Sequence, residues 1–128
     1  MIYCFDVDGT ICTMTEDHEY YKAIPIPEMV TKINKLYDEG HTIKISTARG
    51  QGSGIDQTDL TKKQLKEWGI KYHKLLKKTS ADFYVDDKCM TPAEFILGKD
   101  YEVCLEGALE RRGLSLSAVQ LLKLQEKS

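Results

Sequence analysis

Strand-like segments alternate with helix-like segments along this chain, and the strand-like segments stop at polar, reactive residues. Strands that alternate with helices form a parallel sheet with right-handed crossovers. Ligands of such sheets bind beyond the carboxyl ends of the strands. The sequence therefore predicts an α/β fold with its site at one edge of the sheet. Three of the expected strands end in this way: Ile2–Phe5 before Asp6, Thr42–Ser46 before Thr47, and Phe83–Val85 before Asp86 and Asp87.

Helix start and stop signals separate these strands. Pro27 suits the first position of a helix that Gly40 ends, and a second helix begins at Asp56 or Thr58 and ends at Gly69. Ile2–Phe5, being continuously apolar, is expected to be buried on both faces. We predict a three-layer, Rossmann-like parallel sheet with helices on both faces. The remaining expected elements are a third strand at Ile70–Leu75, a short helix from the capping box Thr91–Glu94 to near Gly98, and further helices within residues 104–126.

Composition limits the classes of function. The 128 residues fit a single domain spanning 1–128, and a net charge of −2 argues against a general nucleic-acid binder. The four cysteines show no metal-type spacing, and no segment reaches the ~18 apolar residues that cross a bilayer. We therefore expect a cytoplasmic protein with no membrane or nucleic-acid partner. The polar residues 12–24 are expected to form a loop or flap.

Paired carboxylates are the strongest chemical signal. Asp6 and Asp8 are two residues apart at a strand end, so both can face one side, and Gly9 allows a sharp turn that frees N–H groups for an anion. Asp86 and Asp87 follow another strand. Carboxylates that converge there would repel each other unless a hard cation lay among them, and Mg²⁺ prefers such oxygen ligands. An acidic, solvated turn is the alternative.

The wider pattern resembles the haloacid dehalogenase-like superfamily, most of whose members are phosphatases. Phe5-Asp6-Val7-Asp8-Gly9-Thr10-Ile11 is similar to its first motif, and Ile45-Ser46-Thr47 to its second. Lys78 matches the lysine of the third motif, and Phe83-Tyr84-Val85-Asp86-Asp87 resembles the fourth. The resemblance covers residues 2 to 88. It implies a Mg²⁺-dependent phosphatase.

The resemblance also implies a role for individual residues. Asp6 would be the covalent nucleophile, and Asp8 the general acid and base, whose carbonyl also binds the metal. Thr47 and Lys78 would hold the phosphate oxygens, although Lys77 is an open alternative to Lys78. Asp6, Asp8, Asp87 and Asp86 would form the metal site, with Asp87 as the direct ligand and Asp86 orienting it. The candidate substrate-binding residues are Gly9, Thr10, Ala48, Arg49 and Lys77.

A narrower resemblance concerns the substrate. Thr47–Gly50, Leu65–Ile70 and Tyr84–Lys88 are similar to short phosphatases encoded with capsule and surface-polysaccharide genes, although Lys77-Lys78-Thr79 replaces their usual Gly-Lys-Pro triplet. The loops after Thr10 and Gly50 are too short for a cap domain. We expect a small phosphorylated sugar or sugar conjugate as substrate, and a homo-oligomer is possible. Arg49 would clamp a second anionic group or form a structural salt bridge.

Four other functions compete with this hypothesis. An open site without a cap would also admit a phosphoprotein, and transfer of the phosphoryl group to an acceptor other than water is a second possibility. A receiver-like phosphoacceptor uses Asp, Thr and Lys around Mg²⁺ but lacks a partner equivalent to Asp8. A silent binding module on the same fold would not need all the chemical residues that this chain carries.

Overall fold

The computed structural model describes residues 1–97. The chain divides at Phe83 into one compact unit, Met1–Phe83, and a second unit that begins at Tyr84. The helices predicted within residues 104–126 and the helix end predicted near Gly98 lie outside the described residues.

A parallel three-stranded sheet forms the centre of the first unit. Its strands are β1 (Ile2–Asp6), β2 (Thr42–Thr47) and β3 (Lys74–Lys77), in the order β1-β2-β3. Asp6 lies opposite Ser46 on β2, and Thr47 lies opposite Lys77 on β3. The predicted α/β class with a parallel sheet is therefore confirmed, and the three carboxyl ends lie along one edge. The predicted three-layer arrangement stays a prediction.

Burial alternates along the strands instead of being continuous. On β2, Ile43, Ile45 and Thr47 are buried and the residues between them are only half-buried. On β1, Phe5 is buried, whereas Ile2 is 67% exposed. The expectation that Ile2–Phe5 is buried on both faces was wrong. This alternation is typical of strands with one covered face.

Two helices of the first unit begin and end where local sequence predicts. Helix α1 (Pro27–Asp38) has its proline in the first turn, and α2 is Thr58–Glu67. Helix α2 is followed by Gly69, whose φ is +70°. The Gly69 N–H donates to the Lys66 carbonyl, and the Ile70 N–H donates to the Leu65 carbonyl. This is the Schellman arrangement, which a glycine permits.

The third strand starts later than predicted. Ile70 is 7% exposed and belongs to the end of α2, because its N–H closes that helix. His73 then pairs with β2: its N–H donates to the Ile43 carbonyl, and its Nδ1 accepts from the Ile43 N–H. Strand β3 begins only at Lys74, four residues after the predicted start.

The predicted fourth strand, Phe83–Val85, is absent from the part of the chain that the structure describes. Phe83 is 77% exposed and Val85 is 89% exposed, so neither contributes to a core there.

In the second unit, helix α3 (Pro92–Leu97) begins at the predicted capping box. Thr91 Oγ1 accepts from the Glu94 N–H, and Glu94 Oε1 accepts from the Thr91 N–H and hydroxyl.

The core of the first unit joins the sheet to α1 and α2. Each fully buried aliphatic side chain stabilises the fold by about 1.5–3 kcal/mol. The core residues with no exposed surface include Val7, Ile11, Met29, Ile33, Ile43, Ile45 and Leu65.

A short 3-10 helix (Tyr20–Lys22) lies in the segment between β1 and α1. None of the helices within residues 1–97 combines the length and apolarity that crossing a membrane needs.

Candidate active site

A tight turn after β1 fixes the first two carboxylates. The Val7 carbonyl accepts hydrogen bonds from the N–H groups of Thr10, Ile11 and Cys12 at 3.2, 2.9 and 3.2 Å. The Gly9 N–H donates to the Cys12 carbonyl at 2.8 Å, and Gly9 has a φ of +80° that favours glycine. The turn therefore differs from the expectation that Gly9 and Thr10 would offer open N–H groups to an anion, because it closes on its own carbonyls.

Asp6 and Asp8 both border one cavity of about 490 Å³. Five of its eleven lining residues belong to residues 14–20, here called the cavity loop. Asp17 and His18 of this loop have φ values of 51° and 59°, in the left-handed region that costs non-glycine residues energy. Loop strain of this kind clusters at functional sites. The cavity is lined by Asp6, Asp8, Met14, Thr15, Asp17, His18, Tyr20, Ala48, Arg49, Gly52 and Ser80.

The environment of Asp6 is that of a desolvated carboxylate near positive charge. Burial raises the pKa of Asp6 above its ordinary value, because a low-dielectric surrounding disfavours the charged form. The positive charge of Lys78 and a hydrogen bond from the Val7 N–H act in the opposite direction. A carboxylate that has lost water in this way is stabilised further by any cation that reaches it.

Lys77 and Lys78 act on different carboxylates. Lys78 is the strongest opposing influence on the pKa of Asp6. Hydrogen bonds from Thr58 lower the pKa of Asp56, and Lys77 adds a smaller electrostatic contribution there. Successive residues of an extended chain point to opposite sides. This geometry favours Lys78 over Lys77 as the lysine on the Asp6 side.

Thr47 connects the ends of β2 and β3. Its side-chain oxygen accepts from the Arg49 N–H at 3.1 Å, and its carbonyl accepts from the Lys78 N–H at 2.9 Å. Because a hydroxyl both donates and accepts, an oxygen that accepts from a main-chain N–H still has its own hydrogen to donate. Thr47 is 8% exposed.

Arg49 holds the Asp8 carboxylate with two parallel hydrogen bonds. Its Nε donates to Asp8 Oδ2 at 2.9 Å, and its Nη2 donates to Asp8 Oδ1 at 2.8 Å. The Arg49 side chain is 1% exposed, and the Asp8 side chain is 17% exposed. The second Nη2 hydrogen meets Cys12 Sγ at 3.9 Å, and Nη1 donates to Thr61 Oγ1 and Gln64 Oε1. All five guanidinium hydrogens have acceptors within the protein, which favours the structural salt bridge over the anion clamp.

Cys12 completes the environment of Asp8. Burial raises the pKa of the Cys12 thiol to about 12, and the neighbouring Asp8 charge adds to this effect. The thiol is therefore protonated at neutral pH and contacts Asp8 Oδ1 at 3.6 Å. A protonated thiol is a weak donor, so Cys12 is a buried neighbour of the carboxylate and not a nucleophile.

The sequence did not indicate three residues that surround Arg49. The ring of Tyr20 lies 4.7 Å from Arg49 Cζ, and the side chains of Thr61 and Gln64 accept hydrogen bonds from Arg49 Nη1. Thr61 and Gln64 are polar residues on the buried face of α2. Their spacing of three residues on one helix face was the only available signal, and it does not identify a partner.

Asp86 and Asp87 belong to the second unit, so their relation to Asp6 stays a prediction. Asp86 Oδ1 accepts from the Lys88 N–H at 2.9 Å, and this bond is the main reason that its pKa lies below the ordinary value. Within residues 1–83, no group of three or more His, Cys, Asp or Glu side chains is arranged to hold a metal. Asp6 and Asp8 nevertheless fit Mg²⁺, which needs few protein ligands besides water and phosphate.

Comparisons with known proteins show the fold and not a family. No protein-family profile matches the chain, and no curated protein sequence matches it. A structural-genomics target from Vibrio cholerae superposes with a TM-score of 0.68 at 20% identity, over 98% of both chains. The structure of a Pnkp1/Rnl/Hen1 complex superposes with a TM-score of 0.50 at 17% identity, over 75% of this chain and 33% of that chain. Identities this low support a shared α/β architecture alone.

A third similarity is weaker. The D,D-heptose 1,7-bisphosphate phosphatase from B. bronchiseptica, crystallised with magnesium and phosphate, aligns with a TM-score of 0.48 at 16% identity. The alignment covers 90% of this chain and 65% of that one. A TM-score this low supports no inference about this chain.

Proposed function

We propose that this chain is a Mg²⁺-dependent phosphatase that transfers a phosphoryl group through Asp6. The observation that carries the proposal is the pairing of Asp6 and Asp8 on one cavity at the carboxyl edge of a parallel sheet. Asp6 is desolvated and electrostatically linked to Lys78, whereas Asp8 is oriented by Arg49. Two carboxylates in such different environments suit two different roles in one reaction.

Asp6 is suited to nucleophilic attack. One of its carboxylate oxygens attacks phosphorus in line and forms an aspartyl-phosphate, while the bond from phosphorus to the substrate oxygen breaks. Lys78 and the Thr47 hydroxyl stabilise the non-bridging oxygens as charge spreads over them. The leaving oxygen takes its proton from Asp8, which must first take one up from water against the preference of Arg49 for the charged carboxylate.

Asp8 then acts in the second half of the reaction. As a carboxylate it takes a proton from water, and the resulting hydroxide attacks phosphorus. The bond between phosphorus and the Asp6 oxygen breaks, which releases inorganic phosphate and restores Asp6. The fixed orientation of Asp8 by Arg49 supports this step because a general base must point at the water it activates.

Mg²⁺ would neutralise charge on the phosphoryl oxygens and on the Asp6 carboxylate when bound. The Asp6 side chain and the Asp8 carbonyl would hold the metal. In this proposal Asp87 would supply a further ligand, and Asp86 would orient it. Removal of metal by a chelator should abolish phosphate release, and added Mg²⁺ should restore it.

The proposed substrate is a small-molecule phosphomonoester with a second polar part, such as an intermediate of surface-polysaccharide synthesis. The cavity of about 490 Å³ lies within the range typical of small-ligand sites, roughly 300–1,000 Å³. The Thr15 hydroxyl borders it and has no hydrogen-bond partner within residues 1–97. His18 Nδ1 and the Tyr20 hydroxyl, 3.0 Å apart, add further polar groups.

A phosphate-release screen tests the reaction class. Wild-type protein with Mg²⁺ should hydrolyse phosphorylated sugars, and Asp6→Asn should fall below about a thousandth of the wild-type rate, since an amide is a poor nucleophile. Asp59→Asn is the matched control, because Asp59 is an exposed carboxylate on α2 away from the cavity. Activity of Asp6→Asn close to the wild-type rate would refute the assignment of the nucleophile.

Two competing functions give different results in the same screen. A phosphopeptide preferred at least tenfold over sugar phosphates in kcat/KM would replace the small-molecule substrate with a phosphoprotein. A receiver-like phosphoacceptor would accumulate phosphate on Asp6 from a small phosphodonor, without turnover. Phosphate that reaches an added alcohol instead of water would identify a phosphotransferase.

A further inference from the structure

Gln64 is a polar residue on the buried face of α2. It is 5% exposed and lies beside Leu65 and three residues after Thr61, both of which have no exposed surface. A buried amide costs free energy unless its donors and acceptor are hydrogen-bonded. Apolar packing against the sheet would be served equally well by a leucine or methionine of similar size, so the amide needs another explanation.

The contacts of Gln64 link two parts of the cavity. Its Oε1 accepts from Arg49 Nη1, and its Nε2 donates to the Tyr20 carbonyl at 2.7 Å. These bonds fix the orientation of the amide, because a flipped amide would place hydrogens against the guanidinium and an oxygen against a carbonyl. Gln64 therefore connects the arginine that holds Asp8 to the main chain of the cavity loop.

We propose that Gln64 is a positioning residue for the phosphatase reaction, acting through Arg49 on Asp8 and through Tyr20 on the cavity loop. The inference rests on the proposed function for its chemistry, and on the hydrogen bonds alone for its geometry. Asp6 takes part in none of these hydrogen bonds, so the loss of Gln64 should affect the position of Asp8 and not that of Asp6.

The physical effect follows from how Arg49 is held. One end of its guanidinium binds both oxygens of Asp8, the other end binds Thr61 and Gln64, and the ring of Tyr20 covers its face. Loss of the Gln64 bonds leaves Nη1 with one acceptor and the Tyr20 carbonyl with one donor, the Ala23 N–H at 3.1 Å. A displacement of about 1 Å at a reacting group can cost up to about 100-fold in rate. Asp8 would be displaced in this way, whereas Asp6 would not.

The test compares variants that change α2 in different ways. Gln64→Met keeps the length and volume of the side chain but removes both hydrogen bonds. Thr61→Val is a second, milder variant that removes the other acceptor of the same Arg49 nitrogen. Leu65→Val is the control, because it loosens the packing of the same helix and touches neither Arg49 nor Tyr20 in any described contact.

Pre-steady-state kinetics give the first readout. With an aryl phosphate, whose leaving group needs no proton, Gln64→Met should keep the burst of phenol that reports attack by Asp6. Its steady-state rate should fall at least tenfold, because hydrolysis of the aspartyl-phosphate uses Asp8. With an alkyl phosphate the first step should slow as well. Equal losses in burst and steady-state rates, matching those of Leu65→Val, would overturn the proposal.

NMR of the Arg49 side chain gives a second readout that needs no activity. The Arg49 Nε–H, identified by its loss in Arg49→Lys, should exchange slowly with solvent in the wild type and at least tenfold faster in Gln64→Met. Thr61→Val should shift the exchange rate in the same direction, and Leu65→Val should not. If the exchange rate of the Arg49 Nε–H were unchanged in both Gln64→Met and Thr61→Val, the proposal would be overturned even if turnover fell.

The two readouts distinguish failure of this inference from failure of the proposed function. Wild-type protein that releases no phosphate from any substrate refutes the phosphatase, and with it the catalytic meaning of Gln64. An active wild type whose Gln64→Met variant keeps both its steady-state rate and its Arg49 exchange rate refutes the inference alone.

Discussion

Two ion pairs of equal length offer a direct measurement of how much burial matters in this protein. Arg49 and Asp8 lie 2.8 Å apart with side chains 1% and 17% exposed, and Lys71 and Asp38 lie 2.8 Å apart with side chains 49% and 59% exposed. Removing one partner of a buried pair typically costs about 3–5 kcal/mol, because the remaining charge is left without compensation. An exposed pair is worth about 0–1 kcal/mol.

Arg49→Met should therefore lower the free energy of unfolding by about 3 kcal/mol, near the lower end of the buried range because Asp8 retains some contact with water. Lys71→Met, the matched control, should lower it by less than about 1 kcal/mol. Urea denaturation followed by far-UV circular dichroism measures both values, and the slopes of the two curves should agree.

A double-mutant cycle isolates the pair itself. Asp8→Asn in the Arg49→Met background should cost less than Asp8→Asn alone, since the isolated carboxylate is then already without its partner. A loss below about 1 kcal/mol for Arg49→Met would show that the guanidinium is not the buried partner of Asp8. Additive losses in the cycle would lead to the same conclusion and would also remove the physical basis for the Gln64 proposal.

Two further predictions compare neighbouring residues of the same type. Gly54→Ala, strained only by a φ of +74°, should cost about 1 kcal/mol in urea denaturation. Gly50→Ala should cost clearly more, because its Cβ would also collide with the Ile55 carbonyl oxygen. Equal losses would contradict this backbone contact. Lys78→Met should lower kcat by about 100-fold or more, as expected for loss of a charge that stabilises the transition state, whereas Lys77→Met should stay within about twofold. The reverse order in a phosphate-release assay would exchange the roles of the two lysines.

The elements that the sequence predicted correctly are those that depend on local chemistry. Pro27 fixes the backbone angle of the first helical turn, and Gly69 supplies the left-handed conformation that ends α2. Thr91 and Glu94 satisfy each other's N–H groups across a single turn. Each signal acts within about four residues of the chain, so the sequence contains both partners of the interaction.

The incorrect predictions concern tertiary contacts. Ile70 looks like the first residue of a strand, but its N–H and its side chain belong to the end of α2. Ile2 lies in an apolar run, yet burial depends on which face of β1 is covered, and the pattern of one strand does not contain that information. The prediction of a strand at Phe83–Val85 failed for the same reason. It rested on apolar character alone, and the described residues do not form that strand.

The sequence contains the residue types of the candidate site but not the connections between them. Asp6, Asp8 and Ala48 border one cavity, as expected for residues that follow parallel strands. The sequence left two roles open for Arg49, because its 41-residue separation from Asp8 hides their contact. Gln64 gave no signal, since a glutamine within a helix is ordinarily an exposed, helix-favouring residue.

The polar residues inside α2 follow from Asp8 by a chain of compensation. A carboxylate at the wall of a cavity, next to the buried Cys12 thiol, needs a cation, and Arg49 is that cation. A buried guanidinium has hydrogens beyond those that one carboxylate can accept, so Thr61 and Gln64 provide acceptors from α2. The Gln64 amide then has a donor of its own to satisfy, and the Tyr20 carbonyl accepts it. With an uncharged residue in place of Asp8, neither the buried Arg49 nor the acceptors that α2 provides for it would be needed. The strength of the hydrogen bonds around Gln64 should therefore depend on the charge of Asp8, which lies two contacts away.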